Sequence, residues 1–363
     1  MRLGASPYGS DRASALALAD AVVAAGIDTL WLGDGIFRRP DFAGWRGGLE
    51  SMTELAWCAG RHPGVRVGIT AAVLPLRDID WLAREAATLD HLTEGRFVLA
   101  VAAGFWDDEL AYRGVDPAQR GPELRRRLAI LRNHLDTATA TDVIDTATDT
   151  DVPTTATATD TDATATAHAV PHEAAEGEAG AGGDDEVASG CQGATADLVA
   201  ATTAGDAAAE TDVGAGDEGA GRLSPAAFTP GGPPIWLAGG SATMRLALAQ
   251  GLPFQASRAL PDELAPVAQR WFDQGGGLLA HRIYVEAGGG DGDGDVDVPD
   301  GVQVRRHVFT GSAQALTDGL AAYGEMGVGD LSLVLGHDDA SARRTLDVLA
   351  DVLPALGDNG TLG

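Results

Sequence analysis

Val65-Arg-Val-Gly-Ile-Thr-Ala-Ala-Val-Leu-Pro-Leu-Arg77 leads into Asp78-Ile-Asp-Trp-Leu-Ala-Arg-Glu-Ala-Ala-Thr-Leu-Asp-His-Leu-Thr-Glu-Gly-Arg96 and then Phe97-Val-Leu-Ala-Val-Ala102. Val65–Leu74 is an apolar run of strand length, the pattern of a strand covered on both faces. Arg77–Leu92 places Ile79, Leu82, Ala86 and Leu89 on one helical face. Arg96–Ala102 is again apolar and strand-like. Strand, helix and strand in this order define a right-handed βαβ unit with parallel strands.

Working outward, the same alternation continues in both directions. Upstream lie a strand at Arg2–Ser6, a helix capped by Ser10-Asp11 and closed by Gly26, and a strand at Ile27–Gly33. Ser51-Met-Thr-Glu54 fits a capping box that opens a short helix. Downstream, Asp116-Pro117 starts a helical stretch ending near Leu135. Strands are then expected at Pro234–Leu237, Phe254–Ser257, Leu279–Glu286 and Asp330–Leu335. Helices are expected at Ser241–Gln250, Pro261–Gln274, around Leu316, Leu320 and Tyr323, and at Ser341–Leu356. Eight strands, each followed by a helix, satisfy both a closed barrel and an open doubly wound sheet.

Charge is unevenly distributed. The chain has 363 residues, 53 Asp and Glu, and 25 cations, all of them Arg, for a net charge of −28. This excess argues against nucleic acid or an anionic membrane surface as a partner. Residues 136–222 hold 19 acids against one Arg, no aromatic residue, and repeats such as Thr154-Thr-Ala-Thr-Ala-Thr-Asp160. Such a stretch cannot bury enough apolar surface to offset its ordering entropy, so it reads as a disordered acidic insertion. A second acidic patch, Gly288–Gly301, imitates a calcium loop, but Val296 stands where glycine is required and no closing Glu follows. At molar salt the Debye length is about 3 Å, so acidity without Lys fits a protein made for a high-salt cytoplasm. Solubilising linkers or a GC-rich genome would leave similar marks. Two cysteines, Cys58 and Cys191, rule out a disulfide scaffold and offer no zinc spacing. No signal-like or membrane-spanning apolar run is present, and the default expectation is a cytoplasmic protein.

The βαβ segment, with Ala86–Arg96 at its centre, resembles the luciferase-like oxidoreductases. Gly26–Asp34, Trp106-Asp-Asp-Glu109 with Gly114 and Arg120, Pro234–Ser241, Gly311-Ser312 and Gly327–Asp330 are similar to further family segments. The likeness runs in matching order over roughly 1–135 and 228–357. It implies an α/β fold, a (β/α)8 TIM barrel, split as a first half at 1–135, the insertion at 136–222 and a second half at 223–363. It also implies coenzyme F420 or, alternatively, FMN. Because salt-loving archaea make the deazaflavin, the composition places F420 first and points to a haloarchaeal type.

Site residues follow from the C-terminal ends of the strands, where barrel enzymes carry their chemistry. Gly239, Gly240 and Ser241, between a strand and a helix, are expected to cradle a phosphate, with Arg245 one turn on; otherwise they form a tight turn with Ser241 as N-cap. Asp34 is a candidate catalytic residue, or it pairs with Arg38 or Arg39. Many relatives carry His immediately after this Asp, where this chain has Gly35. In relatives, the position of Thr70, Ala71 and Ala72 holds a bulge, often with a non-proline cis peptide, that backs the flavin ring. Gly104 and Trp106 are expected at the cofactor, Trp106 as a cover. Ala100, Ala102 and Ala103 replace a usually Gly-rich strand end. Glu109 is a second catalytic candidate, or it pairs with Arg120. Trp31, Trp81 and Trp236 read as core, and His62, His91, His134 and His281 as structural or exposed. His168 and His172 fall in the acidic tract.

The resulting expectation is an F420-dependent oxidoreductase that passes a hydride to or from a small-molecule substrate, with a homodimer as its assembly. An FMN-dependent monooxygenase of the same fold, or a non-catalytic cofactor-binding barrel, are the alternatives. The insertion, following a helix, is expected at the face opposite the chemistry and dispensable for it.

Overall fold

Gly4 and Gly68 decide how the interior is filled. A Cβ on Gly4 would lie 2.4 Å from the Trp31 indole nitrogen, and one on Gly68 would lie 2.2 Å from the Trp31 ring. Trp31, Val98, Ala100, Trp236 and Ala280 form one buried cluster, with the two indoles 5.3 Å apart. Small residues on neighbouring strands thus leave a lumen that two tryptophans fill, as a packed barrel interior requires. Below them the Arg66 guanidinium lies over both rings, at 5.3 and 5.8 Å, donates to Thr29 Oγ1 at 2.9 Å and pairs with buried Asp330. Burial pushes the Asp330 carboxyl up to about 6, against the pull of Arg66.

The computed structural model describes residues 1–9, 11–37, 48–136, 225–257, 259–288, 308–336 and 338–358. Its strands are β1 (Arg2–Ser6), β2 (Thr29–Leu32), β3 (Arg66–Val73), β4 (Phe97–Ala102), β5 (Ile235–Ala238), β6 (Phe254–Ser257), β7 (Leu279–Ala287), β8 (Val308–Gly311) and β9 (Val328–Leu335). Its helices are α1 (Arg12–Ala24), α2 (Ser51–Arg61), α3 (Ile79–Leu92), α4 (Asp107–Tyr112), α5 (Arg120–Asp136), α6 (Ser241–Gln250), α7 (Pro261–Asp273), α8 (Ala313–Glu325) and α9 (Asp339–Asp358). All pairings are parallel, and β1-β2-β3-β4-β5-β6-β7-β9 close into a ring through β6–β7 and β9–β1. This is the closed (β/α)8 barrel, and the eight expected strands are its ring. Beyond the expectation, β8 pairs with the end of β7, at Tyr284–Ala287, past the stretch that β6 covers.

Helices pack outside through their apolar faces. On α3, Ile79, Leu82, Ala86 and Leu89 are buried as the spacing requires, and Asp78 caps the first turn by accepting from the Trp81 amide at 3.0 Å. Trp81 itself is 61% exposed, so the reading of it as core is corrected: it sits on the outer face of α3. The α2 start also differs. Glu50, not Ser51, is the N-cap, and it accepts from the Met52 and Thr53 amides, while the Ser51 hydroxyl donates to the Gly33 carbonyl.

The Ala86–Arg96 segment acts as a dock. Asp90, fully buried, accepts from the Thr229 amide at 2.6 Å and its hydroxyl at 3.0 Å, and His91 bonds the Ala226 carbonyl at 2.5 Å. The chain thus returns to the barrel at the face where strands begin, not over the strand ends. The acidic tract at 137–224, the patch at 289–307, and Ser10, Arg38, Arg39, His168, His172 and Cys191 lie outside the described residues.

Candidate functional site

Because all ring strands are parallel, Asp34, Thr70–Val73, Gly104–Glu109, Gly239–Ser241, Gln255 and Arg282 share one rim. A hydrogen-bonded chain crosses it. The Gly239 amide donates to the Gln255 carbonyl at 3.1 Å, and the Thr70 hydroxyl donates to the Gln255 side-chain oxygen at 2.7 Å. Arg282 Nη1 donates to the Thr70 carbonyl, and Nη2 to the Tyr8 hydroxyl at 2.8 Å. Thr70 and Gln255 are only 1% and 2% exposed, so this pairing fixes the end of β3. The Thr70–Ala71 peptide is cis, and the β3–β4 register shifts between Ile69 and Ala72. Bulge and cis bond therefore stand at the residues where the family resemblance placed them.

Asp34 is held from four directions. Arg77 Nε and Nη2 donate to its two oxygens, each at 2.8 Å, the Val73 amide donates at 2.9 Å and the Gly35 amide at 3.1 Å. Arg77 continues to Glu50 at 2.7 Å and reaches Glu85 at 3.6 Å. Burial opposes both charges, yet their pairing prevails: Glu50 is held down at about 2, and Arg77 is raised above the ordinary arginine range. The partner of Asp34 is thus Arg77, and the carboxylate ties the end of β2 to the end of β3. With its lone pairs engaged in this way, it positions Val73 and the neighbouring bulge.

Glu109, 2% exposed on α4, accepts from the Ile36 and Phe37 amides at 3.0 and 2.9 Å, so it fixes the loop after β2. The expected pairing with Arg120 is corrected. Arg120 pairs instead with Asp107 and donates to the Gly104, Phe105 and Pro117 carbonyls. Gly104 has φ +92°, and a Cβ there would meet Val73 Cγ1 at 2.8 Å. Trp106, half-buried, sits at the N-cap of α4 with its ring edge-on to exposed Phe105, 4.8 Å away.

At α6 the N-cap is Gly240, with no side-chain capping bond, and Ser241 is the first helical residue rather than the cap. The first turn leaves the Ser241, Ala242 and Thr243 amides without intrahelical acceptors, and Ser241 and Ala242 are exposed. A Cβ on Gly239 would lie 2.5 Å from Thr243 Oγ1, so only glycine lets the loop fold this tightly over the helix start. Arg77, Gln255, Arg282 and Tyr8 were missed from sequence. Their signal is positional: Arg282 is two residues from lumen-facing Ala280 on β7, so it faces inward too. Among the described residues no cluster of His, Cys, Asp and Glu is arranged to hold a metal, and no helix is long and apolar enough to cross a membrane.

A parallel barrel gathers its functional groups at the C-terminal ends of its strands, and here that rim holds the β3 bulge and the uncapped start of α6. The family model described as luciferase-like monooxygenase matches residues 2–330, and the chain belongs to that family. The 4-hydroxyprotoasukamycin monooxygenase of Streptomyces nodosus subsp. asukaensis is 38% identical over 106 residues, covering 29% of this chain and 26% of that relative. The chain therefore matches about a quarter of that relative's length. An F420-dependent secondary alcohol dehydrogenase, solved with an F420-acetone adduct, superposes with a TM-score of 0.63 at 13% identity, covering 98% of both chains. The oxygenating constituent of 3,6-diketocamphane monooxygenase from Pseudomonas putida, solved with FMN, gives 0.57 at 16% identity over 96% of both.

Proposed function

We propose that this chain is a luciferase-like oxidoreductase that transfers a hydride between coenzyme F420 and a small organic substrate. The observation that carries a ring-and-phosphate cofactor is the α6 start, uncapped and glycine-bordered, on the same rim as the Thr70–Ala71 bulge. The residues fit such a group. Gly239, Gly240 and Ser241 would hold the phosphate through backbone amides and a hydroxyl, without Lys, and Thr70, Ala71, Ala72, Gly104 and Trp106 would border the ring. When bound, the deazaflavin supplies the hydride chemistry. The chain's own residues orient and enclose it. Asp34 and Arg77 hold the end of β3, Gln255 holds Thr70, and Glu109 holds the loop that faces them.

F420 is placed ahead of FMN by the acidic, Lys-free composition, which also supports a salt-loving source and a cytoplasmic location. The second reading, an FMN-dependent monooxygenase, is favoured by the family description and by the monooxygenase relative. The test mixes the purified protein with F420 and a panel of alcohols, and separately with reduced FMN and oxygen. Substrate-dependent reduction of F420 is expected. Oxygen-consuming turnover with FMN and none with F420 transfers the assignment to the second reading. Cofactor binding with no turnover in either arm leaves a non-catalytic barrel.

A further inference from the structure

Arg282 leaves β7, crosses the barrel interior and reaches Thr70 on β3 and Tyr8 beyond β1. It lies 5.9 Å from the Tyr8 ring centroid, and Ser332 is its neighbour on β9. A guanidinium placed inside a protein is ordinarily matched by a carboxylate, because an uncompensated buried charge is strongly unfavourable. Among the described residues Arg282 has no such match; the groups acting on its charge are the phenols Tyr8 and Tyr284. The nearest acid on the same strand face is Glu286, four residues on, roughly 13 Å along the strand. Asp330, one layer below, pairs with Arg66 through Oδ2, and its Oδ1 is buried with no hydrogen-bond partner, so it makes no bond to Arg282.

The donors are also underused. Of the five N–H groups of an arginine, one goes to a carbonyl and one to a hydroxyl, and Nε is buried with no hydrogen-bond partner. Two serines on β9 and β1 share this condition. Ser332 Oγ and Ser6 Oγ, on adjacent strands β9 and β1, are buried without partners as well. Buried polar atoms are normally satisfied, so an orphaned guanidinium nitrogen with an orphaned hydroxyl on its register partner Ser332 marks a place shaped for something else. Arg282 as a whole keeps partial exposure, although its Nε is buried.

We propose that Arg282, with Ser332 opposite it on β9, forms an oxyanion subsite in the floor of the barrel mouth, and that the substrate carries a carboxylate seated there. The inference deepens the function proposed above, on which it rests for calling the ligand a substrate. A carboxylate would meet the spare guanidinium donors with charge-assisted bonds and restore the missing counter-charge.

The test is calorimetric titration of the full-length, cofactor-free protein in one fixed high-salt buffer with benzoate, and with benzamide as the neutral counterpart. Saturable binding of benzoate and none of benzamide is expected. Arg282→Met should weaken benzoate roughly tenfold or more, the range of a lost charge-assisted hydrogen bond. Ser332→Ala should weaken it by about threefold to tenfold. Should Arg282→Met fail to fold, by far-ultraviolet circular dichroism, Ser332→Ala and Arg282→Lys decide in its place. Absence of saturable benzoate binding to the wild type, or unchanged affinity in the folded variants, overturns the subsite. Stoichiometric displacement of benzoate by F420 or FMN also overturns it, because the cofactor then supplies the oxyanion. A parallel titration with both cofactors keeps the two ideas apart: benzoate bound through Arg282 with neither cofactor bound sinks the proposed function and leaves the subsite standing.

Discussion

Asp34→Ala separates positioning from chemistry at the rim. The substitution deletes two charge-assisted bonds from Arg77 at 2.8 Å and the bond from the Val73 amide at 2.9 Å, at a side chain only 8% exposed. Removing one partner of a buried ion pair costs about 3–5 kcal/mol when the other charge is left alone. Here Arg77 keeps Glu50 at 2.7 Å and Glu85 at 3.6 Å, so part of that loss is recovered and about 2–3 kcal/mol is expected. For a chain of this size that corresponds to a fall in Tm of about 3–6 °C. Differential scanning calorimetry measures it, and Arg77→Met alone and combined with Asp34→Ala closes a double-mutant cycle. The coupling should be about 1–3 kcal/mol, with cofactor affinity falling because Val73 and the bulge beside it loosen. A variant with unchanged Tm, intact cofactor binding and abolished turnover would refute the reasoning, because Asp34 would then act on the reacting atoms themselves.

Gly68→Ala should destabilise by about 3 kcal/mol or prevent folding, since its Cβ would sit 2.2 Å from the Trp31 ring inside the lumen. Gly60→Ala, an exposed helical site with nothing within 4 Å, is the control and should raise Tm slightly by chemical denaturation or calorimetry. His281, stacked on Tyr323 at 5.1 Å and bonded to the Ala259 carbonyl at 2.9 Å, is pushed down to about 4 by burial. Its folded pKa lies below its unfolded one, near 6.5, so this contribution is fully present above 6.5 and is lost as pH falls toward 4. Denaturation between pH 7 and pH 4.5 should show His281→Phe losing about 2–3 kcal/mol less stability than the wild type, and parallel curves would contradict it.

The strand–helix alternation was legible because the elements of this barrel are short, apolar and cleanly punctuated. Val65–Leu74, Arg96–Ala102 and Pro234–Leu237 each match a ring strand within about two residues. β8 was not legible: it is four residues long and follows the Gly- and Asp-rich stretch at 288–301, which carries no periodicity. Of the site, the backbone features were the readable part. The glycines at 104 and 239 and the small residues at 71 and 72 announce close approach, and the structure gives each a neighbour or a bulge. Partners across the barrel were not readable, because sequence spacing says nothing about which strand ends face one another. Asp34 therefore found Arg77, 43 positions away, and not Arg38 or Arg39. Arg282 reached Thr70 across 212 positions. Trp81 erred for a related reason: its helical face is turned outward by one position from the Ile79 and Leu82 stripe.

Equilibrium titration of the purified chain with F420 and with FMN, for the wild type and for Gly239→Val, tests the rim as a cofactor site most directly. Saturable binding of one of them, weakened roughly tenfold or more when a side chain is forced into the space 2.5 Å from Thr243 Oγ1, is the expected result. Failure of the folded wild type to bind either cofactor, or equal affinity in the folded variant, would contradict it.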